Sequence, residues 1–237
     1  MKPLIERLKE KDWAEVAENM HSRGYAIVKN VLTKTECNGL IESYDAEQVY
    51  RKTISMARYR FGLGEYKYFR YPLPEMITQI RETVYPMIAP IANRWMELLH
   101  TRSSFPATHD ELKTLCAEHG QPHPTILILK YGKNGFNTLH QDLYGDVYFP
   151  MQLVLFLNEP GEDYTGGEFV LTEQIPRAQS KANVIIPRRG DMLLFTTNFR
   201  PAKGTKGYYR VNMKHGVSPL HSGHRHTLGI IFHDALS

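Results

Sequence analysis

From Thr125 onward the chain breaks into short β-prone runs separated by glycines, and this texture constrains the fold more than any other feature. The runs are Ile126–Tyr131, Met151–Leu157, Glu168–Leu171, Asn183–Ile186, Met192–Phe195, Tyr208–Met213 and Thr227–Phe232. Gly132, Gly135, Gly161, Gly166-Gly167, Gly190, Gly204, Gly207 and Gly223 punctuate them. Short strands at this spacing argue for a sandwich or barrel rather than βαβ units.

The first half reads differently. Leu4, Ile5, Leu8, Trp13, Val16, Ala17 and Met20 recur at three- and four-residue steps, which predicts a helix over 3–21 that ends at Arg23-Gly24. Tyr25–Val28 is a short strand candidate. Thr33 and Glu36 have the spacing of a capping box and open a helix through about Tyr44. Residues 73–100 look helical again, with Pro86 and Pro90 forcing kinks or breaks, and a shorter helix covers 108–119. Between them, Arg51, Arg58, Arg60, Lys67 and Arg70 are interleaved with Tyr50, Tyr59, Phe61, Tyr66, Tyr68, Phe69 and Tyr71, while Gly62 and Gly64 break any long element. No linker, repeat or low-complexity tract separates the halves. The expectation is one α+β domain over 1–237, with a mainly helical part (1–122) buttressing one face of a β-core (123–237).

With 42% hydrophobic and 23% charged residues, a chain of 237 residues suits one soluble globular unit. Cys37 and Cys116 are far apart and in no metal-type spacing, which fits a reducing compartment better than a disulfide framework. Charges at Lys2, Glu6 and Arg7 come too early for a signal peptide, and no run is long enough to span a bilayer. A cytoplasmic protein without membrane contact is expected. The net charge of +4 decides little, but its distribution says more: nine Lys/Arg and one acid, Asp191, lie between Arg177 and Lys214. Such an excess can attract an anionic polymer, or simply form a solvated face.

Seven of the eleven histidines lie at or after His123. His140-Gln141-Asp142 is the informative pair, because alternate residues of an extended segment face one side and can aim an imidazole and a carboxylate at one point. Two histidines and one carboxylate on a triangular face are what non-haem iron(II) favours. The third donor must come from another strand. His215 is the best candidate: it closes the run Tyr208–Met213 and precedes Gly216, where the backbone can turn. Ten residues later Arg225 falls on what is expected to be a neighbouring strand of the same sheet, with a planar fork that suits a carboxylate. His221, His224 and His226 flank a turn, and His233-Asp234 lacks the spacing.

This order resembles the iron(II)/2-oxoglutarate dioxygenases. The matching pieces are Leu139–Asp142, Gly166–Phe169, Gly190–Phe195, His215–Leu220 and Arg225-His226-Thr227, over about residues 125–234. The resemblance implies a double-stranded β-helix (jelly roll). It also implies iron(II) on His140, Asp142 and His215, with dioxygen and 2-oxoglutarate as cosubstrates. Arg225 would pair with the distal carboxylate of 2-oxoglutarate, assisted by Thr227 and by Tyr131. Gly64–Phe69, Pro72–Pro74, His140–Gly145 and Gly229–Asp234 look like a bacterial family within that superfamily proposed to act on damaged nucleic acid. Leu-His-Gln-Asp and His-Gly-Val-Ser-Pro-Leu are also similar to AlkB-type demethylases, except that Ile231 stands where those enzymes carry a second arginine.

The resemblance implies hydroxylation of a C–H bond, with oxidative demethylation of nucleic acid as one outcome. The aromatic–basic stretch 50–71 and the basic stretch 177–214 are candidate contacts for such a polymer, although the aromatics could equally pack helices on the jelly roll or form a lid. The alternatives are a hydroxylase of a protein side chain, amino acid or small metabolite, and a non-enzymatic cupin-like metal-binding protein. The position of Arg225 argues against the last, since a structural metal needs no carboxylate anchor.

Overall fold

A computed structural model describes residues 2–237. Two antiparallel sheets form a jelly roll. The seven-stranded sheet runs in the order β1 (Tyr25–Val28), β11 (Met192–Thr196), β7 (Met151–Phe156), β15 (Arg225–Ile231), β5 (Leu127–Tyr131), β4 (Glu65–Phe69) and β2 (Tyr50–Ser55). The facing sheet runs β10 (Lys181–Ile185), β9 (Phe169–Gln174), β13 (Gly207–Val217), β6 (Phe136–His140) and β3 (Gly62–Leu63), with β12 (Phe199–Gly204) also on β13. A small ribbon pairs β14 (Leu220–Gly223) with β8 (Tyr164–Gly166).

Alternation along the larger sheet sorts its side chains into two layers. Met151, Leu153, Leu155, Met192, Leu194, Leu228 and Ile230 face the helices in the main core. Val154, Phe156, Leu193 and Phe195 face the second sheet. The helices α1 (Leu4–Lys9), α2 (Trp13–Arg23), α3 (Lys34–Glu42), α4 (Glu75–Leu98) and α5 (His109–Glu118) supply the other side of the main core, through Leu8, Met20, Leu40, Ile77, Ile80, Val84, Trp95 and Leu112 among others. Helices therefore buttress one face of the β-core, as expected.

Several local expectations change. The first helix is two: Asp12 caps a fresh start by accepting from the Glu15 N–H. Pro86 and Pro90 lie inside α4, which continues through both. The two prolines sit four residues apart on the exposed face, so the Glu82 and Pro86 carbonyls they leave unbonded are turned toward water. Within residues 46–72, to which the sequence assigned no element, lie the short strands β2, β3 and β4, which extend both sheets. Gly64 permits this, since a Cβ there would lie 2.8 Å from the Tyr131 ring. Cys37 and Cys116 are buried free thiols. Among the described residues no helix is long and apolar enough to cross a membrane.

Candidate metal centre

β13 pairs with β6 so that His215 stands directly opposite His140. Their rings are 4.2 Å apart between centroids. Gly216 does not turn the chain, as its place after His215 suggested; the strand continues to Val217 with an irregularity in its pairing. The glycine instead allows close approach, since a Cβ there would come within 2.7 Å of the Asn137 carbonyl. Two residues past His140, Asp142 is turned back on both rings, with its oxygens 3.6 Å from His140 Nε2 and 3.2 Å from His215 Nε2. Among the described residues this is the one group of three or more His, Cys, Asp and Glu donors able to share a cation.

Neighbours fix each donor. His140 Nδ1 lies 2.7 Å from the Thr138 carbonyl, which makes it the protonated nitrogen and leaves the Nε2 lone pair facing the carboxylate. Phe169 stacks on the His215 ring, and Phe195 meets it edge-on. The Tyr144 hydroxyl donates to Asp142 Oδ1 at 2.8 Å, and the Tyr68 hydroxyl bonds Tyr144 in turn. Gln141, between the two ligands, donates to the carbonyls of Asn198 and Met213, tying the Asp142 loop to the strand that carries His215. Burial alone would raise the Asp142 carboxyl, but His215, His140 and Tyr144 outweigh it and hold the group well below the usual carboxylate range. Burial and the neighbouring His140 lower His215. Two imidazole nitrogens converging on a carboxylate form a face that could hold a cation, and the donor set fits iron(II).

Arg225 lies on β15 of the seven-stranded sheet, not in the sheet of His215 as expected. The short link 218–224 crosses between layers, which is how a jelly roll uses successive strands. The residue still reaches the site, because it lines the same cavity of about 250 Å³ as the triad, together with Tyr131 and Thr227. It is 1% exposed, between the rings of Tyr131 and Phe156, and its Nε and Nη1 have no hydrogen-bond partner. Tyr131, its register partner on β5, is fully buried, with Asn137 the side chain nearest to pairing its hydroxyl. A buried cation with open donors fits a carboxylate-bearing ligand.

The other predicted contacts separate. In the stretch 50–71, Arg51 covers Tyr68, and Lys67 covers Tyr44 and Tyr50, which is internal packing. Tyr59 and Phe61 stack on each other near the cavity, each 46% exposed, with Arg58 over Tyr59. The stretch 177–214 is not a free basic face throughout, because Arg189 pairs with Asp163 and Arg200 with Glu173. Of the histidines after the triad, His226 bonds Asn158, and His233 accepts from the Phe149 N–H. Sequence reasoning missed Gln141, Thr138 and Tyr68; the alternation Glu65-Tyr66-Lys67-Tyr68 was the available signal for the last.

Residues 64–235 match the model of a family described as "Oxygenase, catalysing oxidative methylation of damaged DNA". Uncharacterised proteins from two strains of Mycobacterium tuberculosis are each 42% identical over 192 residues, 81% of this chain and 77% of theirs. Among solved structures, a Pseudomonas putida prolyl-4-hydroxylase aligns with TM-score 0.56 at 15% identity, over 92% of this chain and 96% of its own. A 2OG-Fe(II) oxygenase-family protein from Burkholderia pseudomallei gives 0.52 at 16%, over 95% and 94%. A Trichoplax adhaerens prolyl hydroxylase, solved with a hypoxia inducible factor peptide, gives 0.56 at 15%, over 98% and 92%. At these identities the structural likeness concerns the fold.

Proposed function

Because the chain belongs to the oxygenase family described as catalysing oxidative methylation of damaged DNA, we propose that it is an iron(II)- and 2-oxoglutarate-dependent dioxygenase that hydroxylates a C–H bond, with N-alkyl groups of nucleic acid as its target. The observation that carries this reading is one cavity lined both by a three-donor face and by a buried arginine with two unpartnered nitrogens. His140, Asp142 and His215 would hold the metal. Arg225 would hold the distal carboxylate of 2-oxoglutarate, with Tyr131 and Thr227 beside it.

When bound, the metal and cosubstrate would supply the dioxygen activation that side chains lack, at the expense of 2-oxoglutarate decarboxylation to succinate. The chain's own work is positioning. The Thr138 carbonyl keeps the proton on His140 Nδ1, so Nε2 stays a donor to the metal. Tyr144 holds one carboxylate oxygen of Asp142 by donating to it. Phe169 and Phe195 hold the His215 ring and exclude water from that side. An N-methyl group hydroxylated here would release formaldehyde and leave the base demethylated.

The exposed Tyr59–Phe61 stack with Arg58 supports a nucleic-acid substrate, since aromatic faces stack bases and arginine neutralises phosphate. Two free buried thiols and a ferrous site suit a cytoplasmic setting. The test is an anaerobic iron(II) titration with 2-oxoglutarate, followed by a succinate-release screen over methylated oligonucleotides, peptides and metabolites. Wild-type protein binds one iron and responds to the methylated oligonucleotide, while Asp142→Ala loses both metal binding and turnover. Turnover retained in Asp142→Ala rejects the triad; stimulation by a peptide or metabolite alone rejects the nucleic-acid substrate.

A further inference from the structure

Gln152 is the polar exception in a buried strand. All six residues of β7 (Met151-Gln152-Leu153-Val154-Leu155-Phe156) are buried. Alternation puts Gln152 on the face of Val154 and Phe156, and its side chain lines the cavity of the triad. It is 3% exposed, and its Nε2 has no hydrogen-bond partner among the described residues. An unpaired buried amide is costly, and leucine would fill such a place without that cost.

Register separates Gln152 from the cosubstrate end of the cavity. Gln152 stands opposite Ile231, and Arg225 lies six residues before Ile231 on the same strand. Six residues of strand span about 20 Å between backbones, so Gln152 and Arg225 enter the cavity from opposite ends. The cavity wall across β15 and β5 from Gln152 is of another kind. Tyr66, Tyr68 and Tyr144 line the cavity, and Tyr66 and Tyr68 meet at 88° with centroids 5.4 Å apart. Aromatic walls with one open amide suit a flat ring that carries an acceptor.

We propose that Gln152 is the hydrogen-bond donor of a substrate subsite for the acceptor edge of an N-alkylated nucleobase. The proposal rests on the nucleic-acid reading above and sharpens it. A base carbonyl or ring nitrogen satisfies Nε2, whereas the methylene ring of a prolyl residue leaves it unpaired. Sites built around such a donor discriminate strongly against partners that lack the acceptor. The fold is therefore that of prolyl hydroxylases, with a pocket chemistry that disfavours their ring.

The experiment compares wild type with Gln152→Leu, loaded anaerobically with Mn(II) and 2-oxoglutarate. It measures equilibrium binding of an oligonucleotide containing 3-methylcytosine, and separately of 2-oxoglutarate. The expected result is a loss of about tenfold or more in oligonucleotide affinity, with 2-oxoglutarate affinity and Tm kept. Gln152→Met, unbranched like glutamine, repeats the measurement if the leucine variant does not fold. Unchanged oligonucleotide affinity in a folded variant overturns the subsite, and so does a parallel loss of 2-oxoglutarate affinity. If wild-type protein ignores the methylated oligonucleotide and binds a prolyl peptide, the fault lies in the nucleic-acid reading itself.

Discussion

Two arginines, Arg81 on α4 and Arg225 on β15, are equally buried at 1% exposure and are treated in opposite ways. Arg81 donates to Asp234 Oδ1 at 2.6 Å, to the Phe232 carbonyl at 2.9 Å and to the Tyr71 hydroxyl at 2.8 Å. Arg225 has aromatic rings around it and two nitrogens with no acceptor. Burying a guanidinium is costly in both places. At Arg81 the fold meets that cost internally, so the residue pins the C-terminal segment to a helix. At Arg225 the fold offers a hydrogen bond to Tyr164 and the field of Glu168 but no paired carboxylate, which leaves two nitrogens open to an anion from outside. Both leave Nε unpaired, so it is the carboxylate partner, present at Arg81 and absent at Arg225 among the described residues, that separates the scaffold arginine from the site arginine.

The sharpest way to break this comparison is to remove each guanidinium in turn. Arg81→Met strands the Asp234 carboxylate, whose side chain is 2% exposed, with only Tyr71 as a side-chain donor. Breaking a buried pair from one side costs about 3–5 kcal/mol, read by urea denaturation, while the 2-oxoglutarate KM of the folded protein stays put. Arg81→Met combined with Asp234→Leu should recover most of that loss. A drop below about 1 kcal/mol for the single variant would mean the pair is a surface-like contact and would undo the contrast. Arg225→Ala is expected to do the reverse. It breaks no charged pair, so Tm is kept, and the 2-oxoglutarate KM rises about 100-fold, worth about 2.7 kcal/mol. An unchanged KM would assign the anchor to another residue.

The same contrast explains what was legible in the sequence. His140, Asp142 and His215 could be read because metal chemistry fixes residue type and spacing, and the strand period delivers the geometry. Arg225 was readable by its spacing, yet its sheet was misjudged, since neighbours in sequence lie in different layers of a jelly roll. β2–β4 were hidden because aromatics interleaved with arginines look the same whether they pack, cap or bind; only pairing to β5 and β6 makes them strands. Gln152 carried a signal that went unread, a single amide inside the apolar run Phe149–Leu157. Asp234 carried a misleading one, because His233-Asp234 looks like site chemistry, yet Asp234 serves Arg81.

Histidines extend the comparison to a smaller effect. Burial pushes His109 down to about 3, and His226 and His233 down to about 4. These three are scaffold groups held neutral: His109 Nε2 lies 3.0 Å from the Phe232 carbonyl, beside the Arg81 network. Their native values sit below the ordinary 6.5, so the unfolded chain takes up protons first as pH falls. Stability is therefore full above about pH 6.5 and declines as pH falls toward about 4. At pH 5, with the unfolded value 1.5 units higher, each buried histidine contributes a loss of at most about 2 kcal/mol. His109→Gln keeps a donor for the Phe232 carbonyl and removes the titration. Its unfolding free energy should fall less between pH 7 and pH 5 than that of the wild type, by up to about 2 kcal/mol. An identical slope would show that His109 titrates freely in the native state, and that the helix-side core is more open to protons than its packing implies.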